Sequence, residues 1–298
     1  MTTSIPHDGG TAAAAPTPFY PQLRALLAST LGEREARAVA LALLDDVGGL
    51  TTADVLMGRA DRLDPALRQS IVQQARRIAR GEPYQYVVGF EHFCGLRIDV
   101  CPGVLIPRPE TEELVAWIAG ETTVPSPRIL DLGTGSGCIA LALKHLLPQA
   151  RVEAWDIDPA PIRVAEANAR RLRLDIGLRR QDMLQVDETL QRQLEGQFDI
   201  LVSNPPYVCQ EEKADMEANV LDHEPALALF VPDDDPLRFY RAVARLGRRL
   251  LRPDGHLYFE INRRFGDETR QMLLDHGYHD VDIRPDCYGN LRMARAVK

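Results

Sequence analysis

Several familiar devices are missing from this chain. No stretch reaches the roughly 18 consecutive apolar residues of a membrane-spanning helix, and the first residues do not pair a basic segment with an apolar one, so neither a spanning helix nor a secretory signal is expected. The five cysteines, Cys94, Cys101, Cys138, Cys209 and Cys287, are odd in number and include no C-x-x-C pair. That argues against a disulfide framework and against a zinc site. Free, buried thiols in a reducing, cytoplasmic setting are the expectation. The seven histidines show no H-x-x-x-H spacing, and the acidic run Asp233-Asp234-Asp235 packs its carboxylates too closely in sequence to share one ion. No metal is expected. There is no excess of positive charge either. The formal net charge of −8 argues against a dedicated nucleic-acid enzyme, which would carry a basic face.

What is present suits a two-domain globular protein. Apolar residues make up 45% and charged residues 26% of 298 positions, enough to bury a sizeable core. Residues 1–18, rich in Thr, Ala, Pro and Gly, read as a disordered tail. Residues 19–83 read as a small helical domain, with apolar residues at helical spacing over Pro21–Ser29, Glu33–Asp45 and Pro65–Arg80. Scaffolding and recognition of a partner are the two roles open to it. Residues 84–109 alternate and carry β-formers, so a hairpin linker is predicted. From residue 110 to 298, apolar strands alternate with helical stretches. Strands are predicted at Arg128–Leu132, Arg151–Trp155, Leu178–Asp182, Phe198–Ser203 and His256–Ile261, the last set off from helix Arg238–Leu251 by Pro253-Asp254-Gly255. Two closing strands follow. Such alternation predicts an α/β fold: a mostly parallel sheet with helices on both faces.

Two motifs stand at predicted strand ends. Asp131-Leu132-Gly133-Thr134-Gly135-Ser136-Gly137 follows one strand and opens a helix. Its glycines let backbone approach a ligand closely, and the helix start offers free N–H groups. Asp156 ends the next strand, where a doubly wound fold places a ribose-binding acid. The spacing is G-x-G-x-G, and no Walker lysine follows. The second motif is Asn204-Pro205-Pro206-Tyr207. Consecutive prolines stop a strand, because neither can donate to a ladder. The stiff loop offers a side-chain amide, proline carbonyls and an aromatic face, a set suited to a flat group bearing two N–H donors. Asp131, Asp156, Asp182 and Asn204 all fall at carboxyl ends of predicted strands, so one shared site is expected.

Together these motifs resemble the S-adenosylmethionine-dependent methyltransferases that act on planar nitrogens. Further segments narrow the resemblance. Phe90-Glu91-His92-Phe93, the run Ile106-Pro107-Arg108-Pro109-Glu110-Thr111-Glu112, His223-Glu224-Pro225 and Asp286-Cys287-Tyr288-Gly289-Asn290 are similar to segments of the N5-glutamine methyltransferases of the HemK/PrmC type. The likeness spans about residues 20–298. It implies a Rossmann-like methyltransferase fold with a small N-terminal helical domain and a β-hairpin linker. S-adenosyl-L-methionine would be held by Gly133, Thr134, Gly135, Ser136, Gly137, Asp156, Asp182, Met183 and Asn204. Asn204, Pro205, Pro206 and Tyr207 would carry catalysis and bind substrate, with Arg108 and Glu110 orienting that loop or touching substrate. Tyr207 would stack on the substrate amide or wall its pocket. Asp131 would serve either the cofactor's ammonium group or the loop's own backbone. His223-Glu224-Pro225, by its place in the long segment after the strand that ends at Ser203, is expected to belong to a lid or substrate cover. The implied partner is a peptide chain release factor methylated at the glutamine of its Gly-Gly-Gln tip by a monomeric enzyme. Methylation of a ribosomal protein, or of adenine N6 in nucleic acid, are the alternatives.

Overall fold

The computed structural model describes residues 17–298. The predicted tail over residues 1–18 lies, apart from its last two residues, outside the described region. The chain divides into two compact units at Val88/Gly89.

The first unit is helical throughout: α1 (Phe19–Leu31), α2 (Glu33–Asp46), α3 (Thr52–Leu56), α4 (Pro65–Ile78) and α5 (Tyr84–Val88). Leu23 and Leu27 of α1, Ala40, Leu43 and Leu44 of α2 and Ile71 and Ala75 of α4 recur at helical spacing and form one buried cluster. The starts of α3 and α4 are capped by side chains. Thr51 forms a reciprocal capping box with Asp54, and Asp64 accepts from the first free N–H groups of α4, whose first residue is Pro65. The expectation of extended chain from residue 84 fails at α5. Pro83 leaves its carbonyl free to accept from Tyr86 and Val87 N–H, and the Tyr84 hydroxyl reaches Asp46 at 2.6 Å, so the segment coils before the strands begin.

The second unit opens with a short antiparallel hairpin, β1 (Phe90–Phe93) and β2 (Leu96–Asp99). Its two-residue turn, Cys94-Gly95, takes φ of 48° and 76°, the positive pair that matches strand twist. After it come α6 (Pro109–Glu121), β3 (Arg128–Leu132), α7 (Cys138–Leu146), β4 (Arg151–Asp156), α8 (Pro159–Leu172), β5 (Gly177–Arg180), α9 (Glu188–Gln193) and β6 (Phe198–Ser203). Then follow β7 (Val208–Cys209), α10 (Ala218–His223), α11 (Ala226–Leu229), β8 (Phe230–Val231), α12 (Arg238–Leu250), β9 (Leu251–Glu260), α13 (Gly266–Asp275), β10 (His279–Pro285) and β11 (Leu291–Val297).

Seven strands form one sheet in the order β10-β11-β9-β6-β3-β4-β5. β3, β4, β5, β6 and β9 run parallel. β11 lies antiparallel to both β9 and β10. Helices cover the sheet, so its central strands are apolar on both faces, and every residue of β6 is buried. The chain winds outward from β3 through β4 to β5, then returns to place β6 on the other side of β3. The reversal leaves a crevice at the carboxyl ends of β3 and β6, where such sheets bind ligands. Leu132 and Ser203 are register partners there, and the Ser203 hydroxyl donates to the Leu132 carbonyl at 2.6 Å.

One boundary differs from the sequence expectation. Pro253-Asp254-Gly255 does not separate helix from strand but lies within β9. Its pairing with β6 jumps from Phe198↔Leu251 to Ile200↔His256. The intervening residues bulge outward, with Asp254 at φ 59°, an arrangement that accommodates a proline without an N–H.

Candidate active site

A cavity of about 400 Å³ opens at this crevice, wholly within the second unit. The glycine-rich loop forms one wall. Gly133, Thr134, Gly135 and Ser136 line it, together with Asp156, Asp182 and Met183. Gly133 sits at φ 78°, and a Cβ there would stand 3.0 Å from the Met183 methyl. The Met183 side chain therefore packs on bare backbone. Gly135, at φ 58°, has nothing within 4 Å of where a Cβ would be, which leaves ligand-sized space over the loop. Gly137 does not line the cavity. It is the left-handed N-cap residue of α7, and a Cβ on it would meet Ala165 of α8 at 3.0 Å. The absence of a side chain there is required by helix packing.

Acids hold the loop in shape. Asp156 Oδ2 accepts from Gly135 N–H at 2.9 Å, and its Oδ1 accepts from Asp158 N–H at 3.0 Å. Burial raises its pKa, against the pull of those hydrogen bonds. Asp131 is fully buried and does not line the cavity. Its Oδ2 accepts from the Thr134 hydroxyl at 2.6 Å, while Oδ1 is buried with no partner among the described residues. Burial pushes its carboxyl up to about 7, and the Asp156 charge adds to the rise. Of the two roles expected for Asp131, the loop's own scaffold is the one the geometry matches. Asp182 Oδ1 accepts from Leu184 N–H at 2.8 Å, fixing the turn that presents Met183.

The opposite wall is the loop after β6. Asn204 and Pro206 line the cavity, whereas Pro205 and Tyr207 do not. The expectation that Tyr207 walls the pocket is corrected by its packing. Its ring lies against the sheet core, and its hydroxyl donates to Glu260 Oε1 at 2.9 Å. Burial, then the Glu260 charge, holds that phenol well above its ordinary pKa. Asn204 Nδ2 donates to the other carboxylate oxygen, Glu260 Oε2, at 3.0 Å, and to Thr111 Oγ1 at 3.3 Å. Thr111 in turn donates to Glu260 Oε2 at 2.6 Å. Three donors thus converge on a carboxylate that is 1% exposed. Its pKa is raised by burial, against the hydrogen bonds and the field of Arg292, whose guanidinium is held by Asp286 at 3.2 Å. The loop backbone is gripped by a neighbour of Glu260: Asn262 Nδ2 donates to the Tyr207 carbonyl at 3.0 Å and to Glu212 at 2.8 Å.

Sequence reasoning alone does not single out Glu260, Thr111 or Asn262. A signal exists for Glu260. It is the only charge in the buried run Leu257–Ile261, at the end of the strand adjoining β6, where Ser203 is paired with Phe259. The sequence points to Glu110 rather than Thr111, yet α6 begins at Pro109, and Thr111, Leu114, Val115 and Ile118 form its buried stripe. Glu110 does not line the cavity. Arg108 does, and it pairs with Glu224. Glu224 also accepts from Ile106 N–H at 3.2 Å. The residue tying the segment between β7 and β8 to the site is therefore Glu224, not His223, whose ring contacts its own helix at Asn219. Pro225, Leu227, Ala228 and Phe230 of this segment line the cavity. The cysteines also depart from expectation: all five are free, but Cys101 and Cys287 are exposed. Among the described residues there is no metal-binding cluster and no helix long and apolar enough to cross a membrane.

A nucleotide-sized cavity over a glycine-rich turn, facing an Asn-Pro-Pro loop across the reversal point of a seven-stranded mixed sheet, defines an α/β methyltransferase of the S-adenosylmethionine-dependent class. Comparison with known proteins narrows this. Residues 109–226 match the "Methyltransferase small domain" family and residues 22–89 the "PrmC N-terminal domain" family. The release factor glutamine methyltransferase of Bacteroides thetaiotaomicron is 46% identical over 88% of this chain and 92% of its own length. The protein of that name from Flavobacterium psychrophilum is 39% identical over 90% of this chain and 94% of its own. That from Streptococcus pneumoniae is 37% identical over 70% of this chain and 72% of its own. The chain belongs to the release factor glutamine methyltransferase family.

Proposed function

We propose that this enzyme transfers a methyl group from S-adenosylmethionine to the side-chain amide nitrogen of a glutamine in a peptide chain release factor. The observation that carries the reading is the state of Asn204. Both hydrogens of its amide are engaged by Glu260 and Thr111, while Oδ1 accepts from no donor among the described residues and its side chain borders the cavity. The Pro205 carbonyl lies next to it on the same loop. Asn204 Oδ1 would take one hydrogen of a primary amide at the cavity, and the Pro205 carbonyl, outside the cavity lining itself, is the acceptor we assign to the second.

Bound in the cavity, S-adenosylmethionine supplies an electrophilic methyl group on a sulfonium. Gly133, Gly135 and the Met183 side chain border the space such a cofactor needs, and Asp156 retains lone pairs for ribose hydroxyls beyond those given to Gly135 and Asp158. A primary amide nitrogen is a weak nucleophile, because its lone pair is delocalised into the carbonyl. Holding both its hydrogens fixes the nitrogen and favours pyramidalisation, and positioning of this kind lowers a barrier by ~7–11 kcal/mol. No strong base is needed before attack: as the nitrogen–methyl bond forms the methyl–sulfur bond breaks, S-adenosylhomocysteine is left, and the N–H proton, then acidic, is lost to solvent water. The relatives' names point to release factors as the protein acted on, and the helical first unit is the surface we assign to recognising it.

The test is transfer of labelled methyl from S-adenosylmethionine to purified release factors, with Asn204→Ala as control. Label on the Gly-Gly-Gln glutamine, falling by about 10²–10³ in the variant, is expected. Label absent there but present on ribosomal proteins or nucleic acid would overturn the substrate assignment.

A further inference from the structure

The hydrogen-bond network behind Asn204 has a direction. Thr111 owns one hydrogen, and its short 2.6 Å bond to Glu260 Oε2 uses it. The Thr111 oxygen can then only accept from Asn204. Glu260 receives the Thr111 hydrogen on Oε2 and the Tyr207 hydrogen on Oε1, so both its oxygens are placed as acceptors. Both neighbours of the Asn204 amide therefore demand its –NH2, and its carbonyl oxygen is left facing the cavity. Tyr207 closes the arrangement from the other end, since its hydroxyl occupies Oε1 at 2.9 Å.

We propose that Glu260 is a positioning residue that selects a substrate bearing –NH2, by locking the Asn204 amide with nitrogen inward and oxygen toward the cavity. Its catalytic consequence rests on the reading that Asn204 receives the substrate amide. An asparagine free to flip would present –NH2 for part of the time, and that face repels a donor. The buried carboxylate prevents the flip.

The polarity of the network can be reversed by substitution, and this provides the test. In Glu260→Gln the one carbonyl oxygen cannot take the Tyr207 hydrogen on one side and the Thr111 and Asn204 hydrogens on the other, so a donor loses its acceptor whichever way the new amide lies. The carboxylate that fixed the Asn204 –NH2 is gone, and that amide is released to turn and offer –NH2 to the cavity. In the swap Asn204→Asp with Glu260→Gln, the –NH2 of position 260 instead donates to the new carboxylate at position 204. One oxygen of that carboxylate again faces the cavity, and the net charge of the pair is unchanged. A purely structural role for Glu260 predicts no rescue by the swap.

The experiment compares the full-length wild type, both single variants and the swap. It measures single-turnover methylation of a release factor, cofactor affinity by calorimetry, and side-chain amide exchange in protein labelled with ¹⁵N-asparagine. The Asn204 signals are assigned by their loss in Asn204→Asp. Expected results are slow exchange of both Asn204 amide protons in the wild type and rapid exchange in Glu260→Gln. That variant should lose about 10²-fold in turnover, with cofactor affinity within about threefold of wild type. The swap should regain at least about tenfold over Glu260→Gln. Unprotected Asn204 protons in the wild type, unchanged protection or turnover in Glu260→Gln, or a swap no faster than that single variant, would each overturn the proposal. A wild type that leaves release factors unlabelled, yet shows the expected exchange pattern, defeats the substrate reading and leaves the positioning role standing.

Discussion

Asp131→Asn is a substitution whose effect on stability should reverse the usual direction for a buried polar residue. In the folded protein the Asp131 carboxyl titrates at about 7; unfolded, it titrates at the ordinary 3.8. Below pH 3.8 both states hold the proton and its ionisation takes nothing from stability. As pH rises toward 7 the unfolded chain ionises while the folded one retains its proton, so stability is progressively lost. Above 7 the loss is complete, and a displacement of this size corresponds to about 4 kcal/mol. Asparagine does not titrate, and its carbonyl can still accept the Thr134 hydroxyl. The variant should therefore gain relative to wild type by about 3–4 kcal/mol between pH 4 and pH 8, since groups other than Asp156, whose charge Asp131 feels, cancel in the difference. Urea denaturation of both proteins at half-unit pH steps, without cofactor, measures it. A stability difference that stays flat across this range would refute the buried, uncompensated state of Asp131.

Two further substitutions test packing, one in the sheet core and one beside the cavity. Gly247 of α12 has no room for a side chain, because a Cβ would stand 2.5 Å from the Tyr278 hydroxyl, which donates to the Ala244 carbonyl at 2.8 Å. Gly247→Ala should cost about 1–3 kcal/mol in chemical denaturation by unseating that buried hydroxyl, and Tyr278→Phe in the same background should recover part of it. Arg108→Ala strands the buried Glu224 carboxylate, so the segment between β7 and β8 should become sensitive to proteolysis. Double-mutant analysis with Glu224→Gln should give a coupling of about 1–3 kcal/mol, and no coupling would dismiss the pair as a tie between the segment and the site.

The parts of the site that were legible in the sequence are those whose chemistry is local. The glycine-rich turn, the acid ending β4 and the Asn-Pro-Pro loop each combine a strand end with residues that only particular backbone geometries need. Parallel alternation was enough to place them on one edge of the sheet. What escaped was set by tertiary register. Glu260 reaches Asn204 because β9 lies beside β6, a pairing across 56 residues, and the bulge at Pro253-Asp254-Gly255 contributes to that register. Thr111 rather than Glu110 meets Glu260 because of helical phase: one residue is about 100° of rotation, enough to separate a core-facing position from a peripheral one. The Arg108–Glu224 pair bridges 116 residues, and nothing in either segment's composition names the other.

The Ser203–Leu132 bond and the register it accompanies have a mechanical corollary. The two loops that would carry donor and acceptor of the methyl group spring from neighbouring strands about 4.8 Å apart, and the ladder from Ile129↔Ile200 to Leu132↔Ser203 keeps that gap constant. The gauge of the reaction is thus cut into the sheet itself. A side-chain change in either loop can alter what is gripped but not the span between grips. Only a slip of one strand could, and a slip turns every buried side chain of β6 to the opposite face. Substrate preference in such a protein is free to drift through its loops, because the reach from one loop to the other is guarded by the whole core.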